Sequence, residues 1–351
     1  MRARAADEPH RASTPLELFF DLCFVVAVAQ AVGPLHHAVA DGHALTGLAN
    51  YLSVFFAIWW AWLNFSWFAS AYDTDDVLYR VMTLVQVAGA LVLAAGLTRA
   101  FDDGDFRVDT IGYVVMRLAL VAQWLRAARS DRQRRPTALR YATGIVAVQV
   151  LWLLRLLIDA ESGWFLPSVL VLIALELAVP VWAEHAPGGP TTFHPRHIAE
   201  RYGLFTIIVL GESVASTVER FRDGEVAAAV SGLVIVFSLW WLYFNRPAHE
   251  LLDSLRHSLL WGYGHFFILA AAAAVGIGPG AGYAVAVYLF FVWLLHRRAA
   301  KSPALLVGAV LALLTPLAPA SAELLAAVLV VLVAVDLPRS RDLRTSSAGT
   351  R

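Results

Sequence analysis

What leaves this chain fewest options is a near-continuous succession of apolar stretches, each roughly 18–25 residues long, the length a helix needs to cross the hydrocarbon core of a bilayer. About twelve such stretches can be placed, near residues 16–36, 46–70, 78–98, 108–127, 138–158, 163–183, 197–217, 225–245, 254–277, 281–297, 303–319 and 321–337. Pro316 and Pro319 separate the last two by almost nothing, so these can also collapse into one hairpin. Hydrocarbon offers no partner for a bare N–H or C=O, so spans of this length have to be helical. Composition agrees: 59% of residues are hydrophobic and only 15% charged, with a mean hydropathy of +0.64. The expected fold is an all-α integral membrane protein. Glu17 and Asp21 inside the first span, with no small-residue cleavage pattern behind it, argue that this span is not a removable signal.

Arginine marks the sides of the membrane. Arg2, Arg4 and Arg11 precede the first span, Arg126 to Arg140 surround the fourth loop, Arg297, Arg298 and Lys301 follow the tenth span, and Arg339, Arg341, Arg344 and Arg351 close the chain. With twelve spans all four groups share one side, which the positive-inside rule makes the cytoplasm. Both termini are then cytoplasmic, and with Lys301 the sole lysine against 26 arginines, a bias of high-GC bacterial genomes, the expected location is a bacterial inner membrane. The residues before Pro15 and after about Pro338 are polar and expected to be mobile.

Landmarks recur along the chain in one order. Leu16-Glu17-Leu18-Phe19-Phe20-Asp21 is echoed by Ala199-Glu200-Arg201-Tyr202-Gly203-Leu204-Phe205, Trp59-Trp60 by Trp240-Trp241, Arg80 by Arg256, and Gly112-Tyr113 by Gly282-Tyr283. The expectation is two tandem six-helix repeats in parallel orientation, over 16–183 and 197–337. Segments 1–15, 184–196 and 338–351 become cytoplasmic ends and linker.

Several chemistries have no support in the residues. There is no phosphate-binding glycine loop, and Gly211-Glu212-Ser213 is not a nucleophile elbow. The lone Cys23 excludes a thiolate metal cluster, and the histidines (His36, His37, His43; His185, His194, His197) match no zinc spacing. His265 reads as a hydrogen-bonded core histidine. No catalytic residue, metal or cofactor is expected, and the clustered arginines set topology instead of meeting nucleic acid.

Pro15-Leu16-Glu17-Leu18-Phe19-Phe20-Asp21-Leu22-Cys23-Phe24, with Glu200-Arg201-Tyr202-Gly203-Leu204-Phe205 and Gly211-Glu212-Ser213, resembles the bacterial low temperature requirement protein A family over roughly residues 13 to 337. The resemblance implies a multi-pass bacterial membrane protein and brings no reaction with it. A fainter likeness is to potassium channels built from six-helix repeats, whose first helix carries Phe-Ser-Asp. Here Phe20 directly precedes Asp21, so the serine is absent.

Ionisable groups within spans cost several kcal/mol unless paired or hydrated, and so mark the candidate site. Glu17 and Asp21 are four residues apart, about 40° around a helix, and share a face. Matching depth pairs Glu17 with Arg80 and Glu200 with Arg256, either as packing pins or as a cytoplasmic gate. Glu212, roughly 22 Å along the helix from His197, is expected beyond the midplane as a desolvated, protonatable carboxylate. Arg201 shares its helix face. Arg117 and Glu176 sit near the middle of the fourth and sixth spans and invite a buried pair. Trp59, Trp60, Trp240 and Trp241 are expected at a shared helix junction. Gln30, Gln86, Gln123, Gln149, Asn64 and Asn245 are expected to bond between helices.

Together these features favour passage of an ion or small solute, with proton coupling as one form of it. Asp21 and Glu212 would line the path, while Arg201 and Arg256 balance charge. The alternatives are a membrane-embedded enzyme or cofactor-binding protein, and a non-transporting stress-related sensor. The expected partners are the lipid bilayer and a small solute or ion, with a homo-oligomer open.

Overall fold

The structure is a computed structural model. It describes the chain except residues 2, 6, 7, 9, 10, 160, 247, 249, 250, 277–279, 298–301 and 349–351, with side chains described as far as residue 337. Among the described residues it is all-helical, with no strand. In order come α1 (Pro15–Ala40), α2 (Ala44–Tyr72), α3 (Val77–Asp102), α4 (Arg107–Ser130), α5 (Arg135–Arg155), α6 (Phe165–Glu184), α7 (Pro195–Arg222), α8 (Val226–Phe244), α9 (Leu255–Ala274), α10 (Ala281–His296), α11 (Ala304–Leu314) and α12 (Ser321–Ala348). The eight helices α1 to α8 are long and apolar enough to cross a membrane. The span expected over 303–319 is cut short: α11 has 11 residues, about half what a bilayer needs. A 3-10 turn containing Pro316 ends it, because proline cannot donate to the helical ladder. The marker residues Arg2, Arg298, Lys301 and Arg351 lie outside the described residues, as do the side chains of Arg339, Arg341 and Arg344.

The chain divides into two compact units, Met1–Arg201 and Tyr202–Arg351, with the division inside α7. In the first unit α2 is the hub. Every residue from Ile58 to Tyr72 is buried, as expected of a helix apolar on all sides and surrounded by others. Neighbouring helices α3 and α4 come unusually close: a Cβ on Gly112 would lie 2.6 Å from the Gly89 carbonyl oxygen, so only glycine fits there.

The α2–α3, α4–α5 and α6–α7 connections gather at one end of this unit. Tyr72 donates to Asp131 (3.1 Å), Arg134 Nε donates to the Pro190 carbonyl (3.0 Å), and Thr137 donates to the Gly189 carbonyl (2.8 Å). The segment before Pro15, expected to be mobile, is tied to this end. Arg4 donates its backbone N–H to Ala71 and its guanidinium to Glu8. Arg11, only 6% exposed, reaches the Ala69 carbonyl and Asp73. The cause is acceptor capacity at the end of α2: the Ala71 carbonyl takes the Arg4 N–H, while the Asp73 carboxylate and the second lone pair of the Ala69 carbonyl take the Arg11 guanidinium.

In the second unit α8 lies against α12, and α9, α10 and α11 neighbour one another in sequence order. Asp336 of α12 takes hydrogen bonds from Arg246 (2.7 Å) and Asn245 (3.0 Å) just past α8. His265 is buried and engaged on both ring nitrogens, with Tyr243 Oη at 2.9 Å and the Trp261 carbonyl at 2.8 Å.

Candidate functional site

Three buried carboxylate centres surround α2, and an α2 tryptophan donates to each. Trp60 Nε1 meets Glu176 at 2.8 Å, Trp67 Nε1 meets Glu184 at 2.9 Å, and Trp62 Nε1 meets Asp21 at 2.7 Å. Trp60 and Trp67 are about two turns apart and so point the same way, toward α6, while Trp62 is about 200° round from Trp60 and faces α1. An indole N–H left without a partner in such an interior is costly, and a carboxylate is the strongest acceptor available to it.

In two of the centres the carboxylate itself is fully satisfied. Glu176 accepts four hydrogen bonds: Tyr113 Oη (2.8 Å) and Gln149 Nε2 (2.9 Å) on one oxygen, Trp60 and Arg117 (2.9 Å) on the other. The pair expected between Arg117 and Glu176 is therefore present, 1% and 0% exposed. Glu184 also accepts four, from Trp67, Tyr141 Oη (2.7 Å), and the hydroxyl and backbone N–H of Thr191 (both 2.8 Å).

The third centre is different. Thr14 caps α1 and Pro15 opens it; the Glu17 backbone donates to Thr14 Oγ1, and one Glu17 oxygen accepts the Thr14 N–H at 2.7 Å. That capping box fixes Glu17 and hence, one turn on, Asp21. Across from them α7 presents His197 and Arg201, also four apart. Arg201 contacts Asp21 through a hydrogen bond and Glu17 at 3.1 Å; His197 Nε2 is 3.1 Å from the same Glu17 oxygen. All four residues are 0% exposed. The guanidinium also lies over the rings of Trp62 and Phe65, 5.9 and 5.7 Å from their centroids. Yet Asp21 Oδ2 has no hydrogen-bond partner, and neither Glu17 Oε1 nor the Nε and Nη1 of Arg201 has one of good geometry. Both good bonds to Asp21 fall on Oδ1.

Arg11 links this centre to the water-facing end, 3.7 Å from Glu17 and 3.4 Å from Asp73. Burial, and then the charge on Glu17, push the Asp73 carboxyl up from its ordinary value against the pull of Arg11.

Several sequence-predicted placements are corrected. Glu17 does not pair with Arg80. That arginine is exposed and bonds Asp75 at 2.7 Å, because it sits on the first turn of α3 beside the preceding acidic loop. Glu200 accepts the Ser13 backbone N–H at 3.1 Å, within the first unit, while Arg256 is exposed and belongs to the second. Glu212, expected beyond the midplane, lies on the surface of the second unit next to a Gly211 that has open space around it. Within the first unit Trp59 and Trp60 are 1% and 0% exposed, whereas Trp240 and Trp241, on α8 of the second, are 43% and 41% exposed, so the two pairs do not share one kind of environment. On a helix where one face alone is packed, adjacent tryptophans cannot both turn inward.

Sequence reasoning missed Trp62, Trp67, His197, Glu184 and Asp336. The one usable signal was tryptophan in the middle of a span: interfacial belts place it at span ends, so a central indole needs a buried acceptor.

An all-helical chain with eight bilayer-length apolar helices and carboxylates buried among them defines a polytopic membrane protein. The family model of the bacterial low temperature requirement A protein (LtrA) matches residues 12–337, and the chain belongs to that family. An uncharacterized protein of Rhizobium meliloti (strain 1021) is 27% identical over 282 residues, covering 74% of this chain; the match spans 66% of that relative's length. No solved structure matches the chain.

Proposed function

We propose that this protein passes protons or a small cation across the bacterial inner membrane, with Asp21 and Glu17 as the groups that take up the charge. One contrast carries the reading. The same unit gives Glu176 and Glu184 four donors each but leaves Asp21 Oδ2 bare in a fully buried position. Buried polar groups are satisfied in the great majority of cases, and a bare carboxylate oxygen calls for an explanation, of which an exchanging proton or ion is one. A proton on Oδ2 turns an orphan acceptor into a hydroxyl donor, and a desolvated cation does the same work by coordination.

The neighbours fit this use. Arg201 balances the carboxylates when they are unloaded, and His197 touches Glu17 as a second proton-exchanging group. Arg11 and Asp73 connect the pair to the end where the connections gather. In this reading the helices form two tandem six-helix repeats with both termini cytoplasmic. The support is the set of recurring landmarks and the arginines at 126, 134 and 140 sharing the end that holds Arg11.

The test is flux in proteoliposomes under imposed proton and potassium gradients, comparing wild type with Asp21→Asn and Glu17→Gln. Asp21→Asn is expected to abolish flux while the thermal unfolding transition survives. Unchanged flux in Asp21→Asn, or no flux of either ion in wild type, overturns the proposal.

A further inference from the structure

At the opposite end of the first unit from Arg11 and Asp73, the ends of α2 to α6 surround a small recess of about 60 Å³ that is open on one side. Its walls are aromatic, with Phe106, Phe165, Trp152 and Tyr113 among them. Two opposite charges face it: Asp109 from the first turn of α4 and Arg155 from the last turn of α5. Among the described residues no ion pair at contact distance joins them, although each feels the charge of the other. Arg155 is 6% exposed, its guanidinium is held 4.0 Å over the Phe165 ring and 5.4 Å over the Phe106 ring, and its Nε has no hydrogen-bond partner. Asp109 Oδ1 and Trp152 Nε1 are likewise buried without partners.

Three unsatisfied polar groups of complementary type around one apolar cavity are the makings of a binding site, since each costs free energy until a ligand meets it. We infer that this recess binds a small zwitterion with an aromatic or apolar body, of the α-amino acid type. Its ammonium meets Asp109, its carboxylate meets Arg155, and its body lies among the rings. A ligand with one charge satisfies one side and leaves the other buried and bare. The site ends on Tyr113, whose hydroxyl donates to Glu176, so an occupant touches a residue bonded directly to the buried Arg117–Glu176 pair. The inference stands independently of ion passage.

The experiment uses the purified full chain in detergent and three probes of one shape: L-phenylalanine, phenethylamine and hydrocinnamate. Calorimetric titration is expected to show L-phenylalanine binding about tenfold or more tightly than either singly charged analogue, with a matching rise in thermal unfolding temperature. Asp109→Asn and Arg155→Gln should each weaken L-phenylalanine by about tenfold or more while leaving the preference against one analogue intact. If either variant fails to fold, Ala57→Phe fills the recess from α2 without touching a charge and should abolish binding. Absence of L-phenylalanine binding, binding of an analogue equal to it, or binding undiminished in Ala57→Phe overturns the inference.

Discussion

Arg201 on α7 and Asp21 on α1 are 180 residues apart in sequence and meet as a hydrogen-bonded ion pair with neither side chain exposed. Each arrives with a companion one turn away, His197 and Glu17, so two helices face each other with a two-residue ladder apiece. Glu17 also caps its own helix through Thr14, which locks the ladder to the start of α1. The pair is thus held from the backbone outward, and the bare oxygen of Asp21 is a consequence of that rigidity: Trp62 and Arg201 both converge on the other one.

Removing the arginine alone should do the greatest harm. Arg201→Met leaves Asp21 buried without its cation and Glu17 with only the more distant Arg11, and breaking a buried pair this way costs about 3–5 kcal/mol. The unfolding temperature in detergent is expected to fall steeply. A double variant, Arg201→Met with Asp21→Leu, should recover part of the loss, because one uncompensated charge goes with its partner. A double variant no more stable than Arg201→Met would mean that the two residues are not energetically coupled.

The satisfied centres differ in kind, and that predicts an order. Glu176 holds a buried guanidinium, whereas the donors to Glu184 are an indole, two hydroxyls and a backbone amide. Glu176→Gln strands the Arg117 charge and should cost about 3–5 kcal/mol. Glu184→Gln turns an amide N–H₂ toward donors and should cost about 1–3 kcal/mol. Thermal melts of the two variants, side by side, check the order; equal losses would show that the Arg117 charge is compensated elsewhere.

These centres also show where sequence reading succeeds and stops. Span length and apolarity come from the chain directly, because lipid leaves backbone groups no alternative to helix. Arg117 and Glu176 were legible as a pair since each is the lone charge in the middle of its span. Depth alone pairs Glu17 with Arg80, and depth cannot tell a cation turned toward an acidic loop from one on α7 turned inward. The α2 indoles were invisible for a related reason: which face a tryptophan takes depends on neighbours, and α2 has them on every side. The N-terminal segment looked like a loose polar tail because its anchors, Ala69 and Asp73, belong to the far end of α2.

Acid sensitivity should appear at the α2–α3 connection. Asp76 caps α3 through the Tyr79 N–H (2.8 Å) and takes a 2.7 Å bond from Arg126. The Arg126 bond above all holds its carboxyl down at about 2. A carboxyl lower in the folded than in the unfolded chain adds stability that is complete above the unfolded value, near pH 4, and is lost as pH falls toward about 2. Asp76 is 42% exposed, so solvent screening limits the contribution to no more than about 1 kcal/mol. Asp76→Asn is expected to lower stability at neutral pH and flatten the acid limb between pH 4 and pH 2. Melts across that range test it, and parallel profiles for the two proteins would assign the acid loss to other carboxyls.

The α3–α4 contact should tolerate no side chain at residue 112. A Cβ there would stand 2.6 Å from the Gly89 carbonyl oxygen and 2.9 Å from the Leu93 Cα, both backbone atoms that cannot rotate away. Gly264 makes a useful comparison: its Cβ would meet the Leu295 side chain at 2.6 Å, and a flexible leucine can yield. Gly112→Ala must push two helices apart along their packed length, so overpacking of about 1–3 kcal/mol is expected, with loosening of the neighbouring Tyr113 and Arg117. Both changes gain the same helix propensity, so Gly264→Ala should cost less because only its obstacle, the Leu295 side chain, can move aside. The measurement is the monodisperse fraction and unfolding temperature of each variant in the same detergent. A Gly112→Ala protein as stable as wild type would mean that α3 and α4 can separate freely, which is incompatible with the close crossing described above.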